Sequence, residues 1–122
     1  LNLSELQARV REVNVANGWR QGVSADSSPL ESIGLLGLIM TEVAEAIEEV
    51  RNGSGVNPYY TTYYTERGEA LSKPEGLPSE LADVVIRAFD VADIFGIDLA
   101  FFIDEKLSFN AQRGYRHGGK RA

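Results

Sequence analysis

The chain has 122 residues and no cysteine, a length suited to one domain with a single core and a composition that rules out disulfide and thiolate-metal chemistry. Its net charge of −6, from 18 acidic and 12 basic residues, argues against a broad footprint for nucleic-acid polymers or anionic membranes. The longest apolar run of note, Ile33 to Met40, falls short of the roughly 20 residues needed to span a bilayer. The first residues carry no signal-peptide pattern. A cytoplasmic protein is expected, with further residues upstream of Leu1.

In chain order, Ser4-Glu5-Leu6-Gln7 reads as a capping box, and Leu6, Val10 and Val13 follow at helical spacing, predicting a helix over about 4–17. Gly18 ends it, and Trp19 leads into the polar connector Ser24-Ala25-Asp26-Ser27. Ser28-Pro29-Leu30-Glu31 places serine at N-cap, proline at N1 and glutamate at N3 of a second helix. Its expected buried stripe is Leu35, Leu36, Ile39, Val43, Ala46, Ile47 and Val50, with Asn52-Gly53 as the stop. Gly34 and Gly37 interrupt this helix, and close packing on a neighbour would compensate for them.

Residues 53–78 break the pattern. Glycines and prolines surround Tyr59-Tyr60-Thr61-Thr62-Tyr63-Tyr64, whose residue types favour extended backbone, so a short hairpin or an ordered loop is expected in this insertion. The tyrosines suit a subunit contact, a local core or stacking on a ligand base. After Pro78-Ser79, Leu81, Val84, Val85, Ala88, Phe89, Ala92 and Phe95 restore helical spacing until Gly96. Asp98 caps a fourth helix, along which Phe102, Lys106, Asn110 and Arg113 share one face. The expected architecture is all-α, a four-helix bundle-like domain over residues 1–122 with a long insertion between helices two and three.

Two acidic pairs stand out. Glu42-Val43-Ala44-Glu45 lies in helix two and Glu80-Leu81-Ala82-Asp83 opens helix three. Carboxylates three apart share a helix face, and two such faces turned together would gather the oxygen donors that hard cations such as Mg²⁺ require. An isolated Glu-x-x-Glu is more often a solvated surface. These pairs, however, flank the apolar stripe, where like charges are costly without a cation. Glu48 and Glu49 read as solvated, with Glu48 in reach of an outer shell. Charge is also uneven along the chain: Arg113, Arg116, Lys120 and Arg121 make the tail basic, while residues 1–112 hold 8 basic and 18 acidic residues. Such a tail suits a phosphate clamp or a solvated terminus. His117, the single histidine, makes no metal site alone.

Glu-x-x-Glu on one helix, Glu-Leu-Ala-Asp-Val-Val-Ile opening another, and Lys106-x-x-x-Asn110-x-x-Arg113-Gly-Tyr-Arg-His-Gly-Gly together resemble the MazG-like nucleoside triphosphate pyrophosphohydrolases. The resemblance runs from helix two to the C-terminus. It implies an all-α, Mg²⁺-dependent enzyme, with Mn²⁺ as an alternative ion, that cleaves (d)NTPs between the α and β phosphates. On this chain it implies Glu42, Glu45, Glu80 and Asp83 as metal ligands. Glu42 or Glu45 then serves as catalytic base, Lys106, Asn110, Arg113 and Tyr115 face the substrate, and Trp19 is placed for base stacking or for filling the end of the bundle. It further implies a homodimer or homotetramer. Two departures are visible: Thr41 stands where many relatives have a further glutamate, and the insertion exceeds that of compact relatives. Phosphoribosyl-ATP pyrophosphohydrolases share the fold and the bond cleaved, and a non-catalytic helical interaction module is the reading from a different class.

Overall fold

The computed structural model describes residues 2–23, 26, 28–53, 55–56 and 60–114. Among these residues four α-helices and one β-hairpin follow in the order α1 (Leu3–Ala16), α2 (Pro29–Arg51), β1 (Tyr60–Glu66), β2 (Glu69–Glu75), α3 (Leu77–Ile94) and α4 (Leu99–Gln112). The all-α expectation is therefore corrected: the protein is mostly helical, with a two-stranded antiparallel sheet in the insertion. Its contacts divide it into two compact units, Asp26–Val91 on one hand and Leu1–Ala25 with Ala92–Ala122 on the other. No helix among the described residues is long and apolar enough to cross a membrane.

The helix starts follow capping chemistry. In α2 the Ser28 side chain accepts from the Glu31 amide with Pro29 at N1, as its sequence signature predicts. In α4 the Asp98 carboxylate accepts from the Phe101 amide. The cap of α1 differs from expectation. Asn2, not Ser4, is the cap: its side-chain oxygen accepts from the Glu5 amide at 2.8 Å and its side-chain nitrogen donates to the Glu5 carboxylate at 2.8 Å, two residues earlier than expected. At the other end Gly18, with φ of +80°, lets the Trp19 amide reach back to Asn14 O at 3.0 Å.

The unit containing both termini is joined by polar contacts from α1 to the corner between α3 and α4. Gln7, itself buried, donates to Ile97 O at 2.9 Å and accepts from the Leu99 amide at 3.3 Å. Beside it Asp93 accepts two bonds from Arg11, at 2.8 and 2.6 Å, and one from Arg20 at 3.2 Å. The Arg11 hydrogen bonds, outweighing the opposing effect of burial, hold the Asp93 carboxyl down at about 2. A charge with three donors around it satisfies the condition under which a buried carboxylate stabilises a fold.

In the other unit, the hairpin pairs Tyr60 with Glu75 at its base and Glu66 with Glu69 at its tip. Arg67 and Gly68 form the turn with φ of +52° and +80°, the two left-handed residues that suit the twist of a two-residue hairpin. Threonine and tyrosine in β1 fit a pleated surface, which explains why the insertion is a sheet rather than a loop. The Tyr60 hydroxyl donates to both carboxylate oxygens of Glu49, at 3.0 and 3.1 Å, and so fastens the hairpin base to α2. From β2 the chain enters α3 through Gly76, buried and with φ of +101°, a conformation reserved for glycine.

The stripe expected to be buried on α2 is only partly covered. Ala46 is buried, whereas Leu36, Val43, Ile47 and Val50 are exposed. No neighbour stands within 4 Å of the position a Cβ would take at Gly34 or Gly37, so the close packing expected there is also absent among the described residues.

Candidate metal centre

Helix geometry sets out two charged faces with the same spacing. On α2, Glu42, Glu45 and Glu49 lie at i, i+3 and i+7; on α3, Glu80, Asp83 and Arg87 do the same. Between these faces, carboxylate oxygens of Glu42, Glu80 and Asp83 all lie within 4.8 Å of one another. Three of the four expected ligands are thus brought together. Glu45, exposed as a residue, stands outside that trio but lines the adjoining cavity with Glu80.

Glu80 is the buried member, with 7% of its surface exposed, and its Oε2 has no hydrogen-bond partner among the described residues. A buried carboxylate oxygen without a donor is rare in folded proteins because its lost hydration is not replaced. Burial first, then the charges of Glu45 and Asp83, a hydrogen bond with Glu45 and the charge of Glu75, push the Glu80 carboxyl up to about 7. Asp83 is also raised, by desolvation and next by Glu42, with Lys73 and Arg87 opposing. Asp83 as a residue remains exposed and marks the open side of the cluster.

Two cations flank the carboxylates, and sequence reasoning singled out neither. Arg87 Nη2 lies 3.2 Å from Glu42 Oε1, and its Nη1 lies 3.9 Å from Asp90 Oδ2. Lys73 Nζ lies 3.2 Å from Glu75 Oε1. Arg87 was foreshadowed by its position four residues after Asp83; Lys73 and Glu75 could not be found without the hairpin register. Glu49, read from sequence as solvated, is half-buried and held by Tyr60.

The donor set consists only of carboxylate oxygens, one of them buried and unpartnered. That combination fits a hard divalent cation such as Mg²⁺ and does not fit a soft metal.

The expected substrate-facing residues lie in the other unit. Lys106 and Asn110 are on α4 and Arg113 is its C-cap. Lys106 Nζ and the Arg113 guanidinium lie 5.3 and 5.5 Å from the centre of the Phe109 ring, so cation–π contacts gather two cations on one helix face. Trp19 sits in the turn after α1 with 71% of its surface exposed, which corrects the reading that it fills the end of a bundle. Tyr115, with Arg116, His117, Lys120 and Arg121 of the basic tail, lies outside the described residues. Ser24, Ala25, Ser27 and Tyr59 do so too.

Comparison with protein-family models, with curated proteins and with solved structures returns no match.

Proposed function

We propose that this chain is a Mg²⁺-dependent nucleoside triphosphate pyrophosphohydrolase that splits (d)NTPs into (d)NMP and pyrophosphate. The observation that carries the reading is the convergence of Glu42, Glu80 and Asp83, in which Glu80 is buried and has an oxygen without a partner among the described residues. The resemblance in the acidic pairs and in the Lys106–Arg113 segment supplies the substrate class.

Glu42, Glu80 and Asp83 would hold a divalent cation, which would supply charge neutralisation for the polyphosphate and acidify the attacking water. Glu45, outside the trio and beside Glu80, takes the proton from that water as general base. Arg87 orients Glu42 through its ion pair. The resemblance assigns phosphate contacts to Lys106, Asn110 and Arg113, of which Lys106 and Arg113 are steadied by Phe109. Trp19, an exposed aromatic, is the residue for base stacking.

The test is a screen of the eight common NTPs and dNTPs with Mg²⁺, reading pyrophosphate against orthophosphate. Pyrophosphate as the inorganic product, reduced at least roughly a hundredfold by Glu80→Gln or Glu45→Gln, is the expected result. Orthophosphate alone removes the proposal. Turnover confined to phosphoribosyl-ATP moves it to the histidine-synthesis activity, and no turnover with no cation binding leaves an interaction module.

A further inference from the structure

The turn after α1 leaves the chain's single tryptophan outside while it draws the next residue inward. Trp19 has 71% of its surface exposed, whereas the Arg20 side chain has 16% of its own. Arg20 Nη2 donates to Asp93 Oδ2 at 3.2 Å. Asp93 is itself fixed: 8% of its side chain is exposed, and it accepts from Arg11 Nε at 2.8 Å, from Arg11 Nη2 at 2.6 Å and from Gln7 Nε2 at 3.2 Å. Held at about 2, this carboxyl keeps its charge across the neutral range.

The backbone of the turn is tied as well. Gly18 and Gly22, with φ of +80° and +75°, bracket Trp19, Arg20 and Gln21. The Trp19 amide donates to Asn14 O at 3.0 Å, the Gln21 amide to Gly18 O at 3.4 Å and the Val23 amide to Arg20 O at 3.2 Å. Tryptophan is seldom this exposed, because its rings carry a large apolar area. On a turn already ordered by these bonds, the indole is a preorganised platform. A planar ring laid on it removes apolar area from water, and little further freedom is lost on binding.

We propose that Arg20 and Asp93 are positioning residues for a stacking site at Trp19, holding the indole outward and preorganised for the base of a nucleotide. The identity of that ring rests on the proposed function. Replacing Arg20 opens the clamp without stranding a charge, because Arg11 and Gln7 still donate to Asp93.

With one tryptophan in the chain, intrinsic fluorescence reports on Trp19 alone. The experiment titrates wild type, Arg20→Met, Arg20→Lys and Trp19→Ala with the α,β-methylene analogues of ATP, GTP, CTP and UTP in Mg²⁺. Indole quenching and anisotropy are read, calorimetry supplies dissociation constants, and circular dichroism checks each fold. Inorganic pyrophosphate, which lacks a base, is the control ligand. Wild type is quenched saturably by at least one analogue and not by pyrophosphate. Trp19→Ala weakens that analogue roughly tenfold with pyrophosphate affinity unchanged. Arg20→Met lowers the anisotropy of the free protein and weakens the analogue about threefold or more, again without touching pyrophosphate. Arg20→Lys recovers part of that loss, since a cation meets Asp93 again. Should Arg20→Met misfold, Arg20→Gln carries the same comparison. The proposal is overturned if the analogues bind without quenching the indole, or if Arg20→Met binds them as tightly as wild type. A loss shared equally by pyrophosphate marks a purely structural Arg20 and overturns it too. Those outcomes leave the pyrophosphohydrolase reading standing, whereas a wild type that binds neither analogue nor pyrophosphate removes that reading and this inference together.

Discussion

Two carboxylates, the buried Glu80 and the half-buried Asp93, face opposite electrostatic surroundings and give opposite pH dependences. Glu80 is held up at about 7 against 4.5 for a free glutamate, so the folded chain binds this proton more tightly than the unfolded one. Stability from this group is therefore intact below pH 4.5 and declines as pH rises from there to about 7. Asp83, raised in the same direction, adds to the decline. Asp93, held at about 2 against 3.8, works the other way: its contribution is present above pH 3.8 and is lost as pH falls toward 2. In metal-free buffer the melting temperature is expected to fall between pH 4.5 and 7 in wild type and to stay flatter in Glu80→Gln. Mg²⁺ should raise it more at pH 8 than at pH 5, since the cation binds the deprotonated site. Asp93→Asn is expected to cost about 2–3 kcal/mol in denaturant unfolding, because Arg11, Arg20 and Gln7 lose a charged acceptor.

At the scale of elements, the corner at Gly76 decides where the acids meet. A Cβ at φ +101° forces the backbone out of its turn, so Gly76→Ala should cost about 1–3 kcal/mol. The same change should weaken cation binding through Glu80, which lies in the first turn of α3, whereas a hairpin-tip substitution at Gly68 should lower stability with little effect on binding. Calorimetric titration with Mg²⁺ and thermal melting separate the two effects. The starts of α2 and α4 were legible in the sequence because Ser28 and Asp98 are local signals, and the pairing of Glu42 with Glu80 and Asp83 was foreshadowed by i, i+3 spacing beside apolar residues. The first cap was misplaced because Asn2 and Ser4 both precede suitable partners and only the backbone chooses between them. The parts that were not legible depend on register. Glu75 becomes a neighbour of Glu49 only when Tyr60 pairs across from it, and no spacing rule within one helix reports that.

On α2, Leu36, Met40, Val43 and Ile47 recur four, three and four apart, all exposed, beside the acidic face and next to the uncontacted Gly37. Exposed apolar stripes of this kind mark association surfaces, and we propose that a homo-oligomer buries this one. Light scattering is expected to show a dimer or tetramer at micromolar concentration. Ile47→Asp should dissociate it, since a carboxylate placed in an apolar contact is left unpaired, and a wild-type monomer at those concentrations removes this account of the stripe.

The most direct test of the central claim is a crystal structure of the protein grown with Mn²⁺, with data collected for anomalous scattering. The account predicts an anomalous peak about 2 Å from carboxylate oxygens of Glu42, Glu80 and Asp83, with Glu80 Oε2 among its ligands. A Glu80 carboxylate that turns to bulk water or takes a protein donor, with no peak beside it at saturating Mn²⁺, would contradict it.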